Sequence, residues 1–494
     1  MRYGLENERF AARVGVLPEV FASPVVTVEL PPGQEQRPDA VAAWLLAANL
    51  VVRMFRRVQL VAPDAALGPN PWGLTSLHEA VPILQQLCEG NVALGAPART
   101  DIALGVGAPP GTGASRTTFV GFDGWSVTLD AAPSGARPGL LAALAAACHG
   151  ASQVFLHAAA AAGAARGPVA PFRVGLLGMA PTMAPPTEVD LGETHLVGAG
   201  AVGCAFVYAL GHVPRLAGRL HVIDGDHIDL LNLNRYVLMR RSDIGALKPD
   251  VAKQALASRG AVVTPFNDNF AAFAAQHGHH VELLLCPIDS EAGRRALAKS
   301  LPRIALNAAT SDSLVTVSRH GFADGRACLH CLYLPRPGSA SPEERLAADL
   351  GLDVGLVEEH LVANRPVEAW LVRRVEQHRG VPPGAFESWV GQHIQSFHQR
   401  AVCGAVAINA PGSGDVVTPL AFVSAAAGVL LAARFVLERA GACAATATNY
   451  TRLDLLGSPT DAFHEVRGQD ITGRCICRDS EYVGVYHAKY PSAA

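Results

Sequence analysis

Short apolar runs alternate with longer segments that carry apolar residues at helical spacing through most of the chain. In the first 190 residues, the stretches PVVTVEL, VQLVAP and DIALGVGA predict buried strands. TTFVGFDGWSVTLD predicts a hairpin, because Asp and Gly stand at its centre, and a long alanine-rich helix and the strand FRVGLLG follow. Strands that alternate with helices are typical of an α/β fold with a largely parallel sheet.

A proline-rich polar stretch, APTMAPPTEVDLGE, interrupts this pattern and predicts a domain boundary. The strand, loop, helix and strand pattern resumes at His195. Later, a segment rich in Glu, Arg and His predicts a solvated helical insert, followed by a loop, a long helix and short strands. We therefore predict four regions: an α/β domain at 1–185, a second α/β domain at 190–334, the helical insert at 335–400 and a C-terminal region at 401–494.

Composition narrows the classes of function. The 494 residues are 50% hydrophobic and 17% charged, which indicates a globular protein of two or three domains. A formal net charge of −3 provides no attraction to nucleic acid or to an anionic membrane, so neither partner is expected. Two apolar segments, Leu140–Ala165 and Pro419–Leu437, carry polar residues and are expected to be buried helices rather than membrane spans. Without a visible secretory leader, we expect a cytoplasmic protein with reduced thiols.

The clearest chemical pattern is a glycine-rich loop between a strand and an apolar helix. HLVGAGAVGCAFVYALG places Gly198, Gly200 and Gly203 in a GxGxxG arrangement, which lets a phosphate approach the backbone at a helix N-terminus. The next strand, RLHVID, ends at Asp224, twenty-one residues after Gly203, where an acid that binds ribose hydroxyls is expected. The pattern predicts a nucleotide site; the alternative is a glycine turn that serves only helix–strand packing.

Amide and cationic side chains follow this acid within one short loop and helix, namely Asn232, Asn234, Arg235 and Lys248. Two cations beside a phosphate loop suit a reaction in which charge builds on phosphate oxygens as pyrophosphate leaves, whereas hydride transfer creates no such charge. A third strand, VELLLCPIDS, leads to Asp289, where a carboxylate can hold the Mg²⁺ of ATP. Judged singly, Arg235 would be assigned to a surface ion pair and Lys248 to a solvated helix face.

Together these motifs resemble the adenylation domain of the ubiquitin-activating enzyme family, including the ThiF-type bacterial adenylyltransferases that activate sulfur-carrier proteins for thiamine and molybdopterin synthesis. The resemblance is close over about Gly192–Thr310 and rests on the glycine loop, DGD, NLNR, a Lys thirteen residues after the Arg, and IDSEAGRR. It implies a doubly wound, Rossmann-like adenylation domain at 190–334 and a degenerate, inactive adenylation-like half at 1–185. Tyr236 and Ser290 depart from the family's usual Gln and Asn, but they adjoin the key residues rather than replace them, so we expect activity to survive.

The resemblance implies a role for each residue of the nucleotide site. The glycines would cradle ATP, a first acid would bind the ribose and a second acid would belong to the same nucleotide-binding set, an amide and two cations would contact the phosphates, and a last acid would bind Mg²⁺. In that order, these residues are Gly198, Gly200 and Gly203; Asp224 and Asp226; Asn232, Arg235 and Lys248; and Asp289. The two cations are also expected to act catalytically, because they lower the barrier to adenylation.

Two close cysteine pairs stand among ten cysteines. The CxxC pair Cys328 and Cys331 and the CxC pair Cys475 and Cys477 can supply four thiolates to one tetrahedral Zn²⁺. The resembled family often carries such a site, which here would link the C-terminal region to the adenylation domain. The second pair is one residue tighter than the usual CxxC, and the alternative is two unrelated thiol clusters.

Two further residues are candidates through the resemblance alone. Cys403 begins a loop that contains Gly and Pro, where the family places the cysteine that attacks an acyl-adenylate; the alternative is a small buried hydrophobe. Arg9, in ERFAARVG, corresponds to the family's N-terminal arginine that reaches a partner's ATP site, although a solvated helix explains it equally well. The HGHH stretch, His277–His280, is expected to be an exposed loop rather than a metal site.

The expected function is ATP-dependent activation of a ubiquitin-like protein that ends in glycine. Adenylation of its C-terminus would be followed by a thioester on Cys403 and transfer to a conjugating enzyme. The family's paired adenylation folds imply a chain that is pseudo-dimeric within itself, with a homodimer as a further option. Three alternatives stay open: a sulfur-carrier adenylyltransferase, an NAD-dependent oxidoreductase, which gives the two cations no role, and a non-enzymatic nucleotide-binding scaffold.

Overall fold

The computed structural model describes residues 21–88, 90–133, 135, 137–164, 166–178, 186–334, 340–363, 365–398, 420–442 and 448–491. The described part of Met1–Leu332, together with that of Pro419–Ala494, makes one compact unit, and that of Tyr333–Thr418 makes another. The candidates Arg9 and Cys403 lie outside the described residues.

The strands of the first unit follow the apolar runs of the sequence. They are β1 (Val26–Glu29), β2 (Arg57–Val61), β3 (Asn91–Leu94), β4 (Ile102–Val106), β5 (Arg116–Asp123), β6 (Ser126–Leu129), β7 (Phe172–Gly175), β8 (Glu188–Val197), β9 (Arg215–Ile223), β10 (Val262–Phe266), β11 (Leu283–Cys286), β12 (Ile304–Ser311), β13 (Leu314–His320), β14 (Tyr450–Asp454) and β15 (Phe463–Glu465). The predicted strands and the β5–β6 hairpin are therefore confirmed.

Helices connect most of the parallel strands. They are α1 (Pro38–Val51), α2 (Val81–Leu87), α3 (Leu140–Ala161), α4 (Ala201–Gly211), α5 (Lys248–Leu256), α6 (Phe270–His277), α7 (Glu291–Lys299), α8 (Leu329–Leu332), α9 (Pro342–Leu350), α10 (Val354–Val362), α11 (Ala369–Arg379), α12 (Ile394–Phe397), α13 (Ala421–Arg439) and α14 (Ser480–Lys489).

The two sheets of the first unit share one strand order. The N-terminal sheet runs β3-β2-β1-β4-β5-β6-β7, and the C-terminal sheet runs β10-β9-β8-β11-β12-β13-β14-β15. In each sheet the first five strands are parallel and those after them are antiparallel. The first unit therefore contains two copies of one doubly wound fold, which confirms the predicted Rossmann-like α/β class.

Packed helices join the two copies. α1 packs on α3 in the first copy, α4 packs on α13 in the second, and α3 packs on α13 between them. By length and apolar composition α3 and α13 are long enough to cross a membrane, but 83% and 94% of their apolar windows are buried inside the protein. At Gly428 of α13 an added Cβ would lie 2.5 Å from the Val202 carbonyl oxygen, so this glycine permits the close approach of α13 to α4.

Strand register shows why the N-terminal copy is degenerate. The last paired residue of β2 is Val61 and that of β9 is Ile223, and each lies opposite the last residue of the neighbouring parallel strand. Ala62 then follows Val61, as Asp224 follows Ile223. The N-terminal copy thus has a methyl group at the position where the other copy has the Asp224 carboxylate.

A carboxylate also occupies the loop region of the N-terminal copy. Glu29, at the end of β1, is only 4% exposed. Its carboxylate accepts hydrogen bonds from the Gly111 and Thr112 amides, at 2.8 and 3.0 Å, and from the Thr112 hydroxyl at 2.6 Å. A negatively charged group of the chain itself therefore takes up backbone donors that could otherwise face a phosphate.

The polar stretch predicted as the domain boundary contains the start of β8. This strand pairs with β9 from Glu188 onward and has a bulge between Asp190 and Glu193. Gly192 lies in the bulge with a φ of +57°, a conformation that few other residues adopt. Because the bulge and the polar side chains interrupt the alternation of apolar and polar residues, that alternation does not predict this part of the strand.

The second unit is helical and has its own core. α9 begins with a capping box, in which the side chains of Ser341 and Glu344 bond to each other's backbone amides. Buried apolar residues from all four helices pack together, among them Leu350, Val357, Leu371, Val375 and Phe397. The helical insert expected from the sequence is therefore present, while its predicted boundaries stay predictions.

Candidate functional site

The glycine loop lies between β8 and α4. Gly198 has a φ of +96°, and an added Cβ would lie 2.6 Å from Ile288 Cγ2. A Cβ on Gly203 would overlap the Gly198 carbonyl oxygen. At Gly200 the nearest atom to an added Cβ would be Tyr236 Oη at 3.6 Å. The fold itself therefore requires the first and third glycines, whereas the space beside the second is open to a ligand.

Asp224 is oriented toward this loop by backbone amides. Its carboxylate accepts hydrogen bonds from Ala199 N at 2.7 Å and from Asp226 N at 2.9 Å. Burial raises the pKa of Asp224 above its ordinary value, although the ammonium of Lys248, 3.8 Å away, acts in the opposite direction. The carboxylate is thus held at the end of β9 in a position suited to ribose hydroxyls.

Lys248 is a buried cation at the first turn of α5. The residue is 4% exposed, and its Nζ lies 2.6 Å from Asp226 Oδ2. Burial opposes its charge, but Tyr236, Asp224 and Asp226 together raise the pKa of Lys248. Lys248 therefore stays protonated beside the glycine loop, which excludes the solvated helix face considered from the sequence.

The turn Leu230–Asn234 shapes the approach to Arg235. The side-chain oxygen of Asn232 accepts the Asp229 amide at 2.8 Å, and its carbonyl oxygen accepts the Arg235 amide at 3.1 Å. Asn232 therefore forms the turn, and Nδ2 is the side-chain group through which it can donate to a phosphate. Arg235 Nη1 donates to Asn234 Oδ1 at 2.9 Å.

Both Arg235 and Lys248 lie near the aromatic ring of Tyr236. The Arg235 guanidinium lies 5.5 Å from the centre of its ring, and the Lys248 ammonium lies 5.6 Å from the same centre. Tyr236 is 5% exposed, and burial raises the pKa of its hydroxyl. The residue noted as a departure from the family is thus an aromatic ring that both Arg235 and Lys248 approach.

Asp289 lies in the loop after β11, three residues beyond its end at Cys286. The buried guanidinium of Arg294 in α7 donates to the Ile288 carbonyl oxygen, and the Ser290 hydroxyl caps the N-terminus of α7. These contacts fix the loop on both sides of Asp289, whose side chain is exposed. Its carboxylate is accessible to a divalent cation, and Mg²⁺ prefers such oxygen ligands.

Side chains of the N-terminal copy donate hydrogen bonds to the loop that carries Arg235. Asn49 Nδ2 donates to the Val237 carbonyl oxygen at 2.8 Å, and Trp72 Nε1 donates to that of Leu238 at 2.8 Å. Arg53 donates to Asn49 Oδ1 at 2.9 Å and also to the carbonyl oxygen of Leu233. The inactive copy therefore supports the active one through side-chain bonds to three backbone carbonyls.

The sequence analysis missed these supporting residues. Asn49 is fully buried within the apolar helix α1, and Arg53, in the turn that follows the helix, bonds to it from four residues away. A polar pair in and just after an otherwise apolar helix is a detectable signal, because buried polar groups require partners. The identity of the partner was not detectable, since it lies about 190 residues away in the chain.

The four cysteines of the two predicted pairs converge. Sulfur–sulfur distances of 3.2 to 3.7 Å connect Cys328, Cys331, Cys475 and Cys477. Tetrahedral zinc with bonds of about 2.3 Å requires thiolate sulfurs roughly 3.8 Å apart, so the donor set fits the ion. Sulfur hydrogen bonding with Cys328 and Cys475 lowers the pKa of Cys331, whose sulfur also accepts the Asp470 amide at 3.4 Å. The reading of two unrelated thiol clusters is thereby excluded.

The chain is similar to several known proteins. Residues 191–470 match the ThiF family. A protein of Sinorhizobium fredii named y4jF is 35% identical over 466 residues, which cover 90% of this chain and 87% of that protein. The NEDD8-activating enzyme E1 catalytic subunit of Drosophila melanogaster is 38% identical over 102 residues, 20% of this chain and 22% of that subunit. A crystal structure of E. coli MccB with ATP aligns with a TM-score of 0.35 at 14% identity, covering 58% of this chain and 67% of that one.

Proposed function

The chain belongs to the ThiF family, and from this premise we propose that it uses ATP to adenylate the C-terminal carboxylate of a ubiquitin-like protein. The observation that carries the proposal is the placement of Lys248. Its protonated amine is buried between Asp224 and the Tyr236 ring, and Arg235 lies on the same ring. A nucleotide-binding oxidoreductase or a scaffold has no use for two cations at this point.

The proposed reaction is a displacement at the α-phosphorus. An oxygen of the substrate carboxylate forms a bond to the α-phosphorus, and the bond to the oxygen that bridges to the β-phosphorus breaks. Pyrophosphate leaves with the electron pair, and the substrate becomes an acyl-adenylate. Arg235, Lys248 and the Nδ2 group of Asn232 would stabilise the charge that builds on the phosphate oxygens, while Asp224 would hold the ribose.

Mg²⁺ would be held by Asp289 and the phosphates. Bound there, the ion would neutralise charge on the leaving pyrophosphate. Zinc would be held by the four cysteines, where it would tie the segment before α14 to the end of the sheet domain. Neither ion makes a bond to the attacking carboxylate in this proposal.

Carrier-dependent exchange of labelled pyrophosphate into ATP tests the adenylation. With a ubiquitin-like protein that ends in glycine, the wild type should exchange, and Lys248→Met should lower the rate roughly 100- to 1,000-fold, as loss of a transition-state donor does. Lys253→Met is the matched control, because Lys253 is an exposed lysine of the same helix. Equal exchange in both variants, or NAD binding without any carrier-dependent exchange, would refute adenylation by this site.

A second proposed step is transfer of the acyl group to Cys403. The thiolate would attack the acyl carbon and release AMP, giving a thioester for a conjugating enzyme. Family resemblance alone supports this step. Cys403→Ala should abolish a carrier adduct that thiols reverse, while exchange continues at the wild-type rate. A persistent adduct would move the nucleophile elsewhere, and wild-type exchange with no adduct would favour sulfur-carrier activation instead.

A further inference from the structure

A second cluster of metal-type ligands lies on the central strands, outside the nucleotide and cysteine sites. Glu193 and His195 are two residues apart on β8, so their side chains point to the same face of the sheet. His221 lies directly opposite His195 on the neighbouring parallel strand β9. One ligand atom from each of the three side chains lies within 4.8 Å of the ligand atoms of the other two.

The two imidazoles are buried without full hydrogen bonding. His195 is 3% exposed and His221 is 7% exposed, and neither Nδ1 has a hydrogen-bond partner among the described residues. Their rings stack at 4.7 Å with an interplanar angle of 12°. An unpartnered buried nitrogen is costly, which a metal bond would relieve.

The Glu193 carboxylate can bind a metal ion, and it lies where an ion can arrive from solvent. Glu193 Oε1 lies 2.5 Å from His221 Nε2, and its other oxygen lies 4.0 Å from Arg219 Nε. The carboxylate and both imidazoles are thus close enough to share one ion. The Glu193 side chain also borders a surface groove of about 490 Å³, through which an ion can enter from solvent.

We propose that Glu193, His195 and His221 bind a divalent transition metal ion of the zinc type. Two imidazoles and one carboxylate are a known zinc ligand set, with water completing the coordination. Zinc bonds of about 2.0 to 2.2 Å place ligand atoms no more than about 4.4 Å apart, so the stacked imidazoles would rotate apart until their in-plane lone pairs meet at one ion. The metal would clamp β8 and β9 just before they lead into Gly198 and Asp224.

Cobalt binding tests this site separately from catalysis. The full chain is produced with Co²⁺ as the only added transition metal and then dialysed against Co²⁺, whose absorption distinguishes thiolate ligands from nitrogen and oxygen ligands. Two equivalents should bind, and only one should show thiolate charge-transfer absorption. His195→Ala and His221→Ala should each lose the other equivalent. His280→Ala should keep both, because His280 forms an exposed pair with Glu282 at 2.9 Å that offers no third ligand.

A conservative substitution keeps the test informative if the histidine variants fail to fold. Glu193→Gln keeps the shape of the side chain and should weaken binding of the second cobalt equivalent by roughly 10- to 100-fold. The proposal is overturned if the wild type binds only the thiolate-bound cobalt, or if the second equivalent survives in the histidine variants. None of these readouts involves ATP or a carrier, so they stand whether or not the proposed adenylation does.

Discussion

At the scale of single residues, two carboxylates of the protein balance the charge of Lys248 where a triphosphate would bind. Lys248 is paired at 2.6 Å with Asp226, whose side chain is 71% exposed, and lies farther from the buried Asp224. An exposed carboxylate can turn away at little cost when phosphate oxygens take its place. The buried Asp224 has no such freedom, because two backbone amides hold it. The two acids therefore differ in function: one is exchangeable and the other is fixed.

Asp224→Asn should separate binding from stability. The variant should bind ATP at least about 10-fold more weakly, because a charged hydrogen bond to the ribose becomes neutral. The pKa of Asp224 is raised in the folded protein, so between its ordinary value of 3.8 and its folded value the folded state holds more protons than the unfolded chain. Wild-type stability should then fall relative to the variant as pH rises through that window. Urea midpoints and ATP calorimetry measure both effects, and wild-type stability that rises relative to the variant through this window would contradict the assignment.

At the scale of elements, the loop that carries Arg235 is held from outside its own domain copy. The segment from Leu233 to Leu238 carries Arg235, and residues of α1 and of the loop after β2 bond to its carbonyl groups. Each such bond fixes a backbone atom close to a cation that must meet a phosphate. Because misplacement of a reacting group by about 1 Å costs roughly 100-fold in rate, these contacts should influence the reaction without touching ATP.

Trp72→Phe tests this support against a closely matched control. It removes the donor to the Leu238 carbonyl oxygen, whereas Trp44→Phe removes an equally buried donor to the Val28 carbonyl oxygen inside the N-terminal copy. Both changes should cost about 1 to 3 kcal/mol of unfolding free energy, since each leaves a buried carbonyl without its partner. Only Trp72→Phe should also slow pyrophosphate exchange, by roughly 10- to 100-fold. Equal exchange in the two variants would show that the contact is purely structural.

The cysteine cluster links elements that are far apart in sequence. Cys475→Ser should reduce the bound zinc and lower the melting temperature by roughly 5 °C or more, because a structural ion contributes directly to folding free energy. Cys148→Ser is the control: it also places a hydroxyl in a buried position, but outside the cluster. Zinc analysis and calorimetry on both variants separate metal loss from general destabilisation. Full zinc content in Cys475→Ser would remove this residue from the ligand set.

At the scale of the whole molecule, the sequence predicted features that depend on the spacing of residues close together in the chain. It missed features that depend on pairing between distant segments. The glycine loop, Asp224 and Lys248 follow one another along β8, α4, β9 and the start of α5, so their spacing was enough to predict a common site. The shared strand order of the two copies was hidden, because it arises from pairing between strands rather than from residue pattern. Tyr236 was expected to be a departure that leaves activity intact, because its spacing does not show its neighbours. In the structure, packing places both cations near its ring.

Two copies of one fold do not imply two nucleotide sites. The N-terminal copy has Ala62 at the register position of Asp224, and the Glu29 carboxylate already accepts the amides of Gly111 and Thr112. A triphosphate would meet a negative charge there instead of free N–H groups, which is an electrostatic barrier to binding. Equilibrium dialysis with labelled ATP should therefore find one nucleotide per chain, and Lys248→Met should remove most of it at the same concentration. A second equivalent that survives in Lys248→Met would show that the N-terminal copy binds nucleotide, and that its role extends beyond support of the loop that carries Arg235.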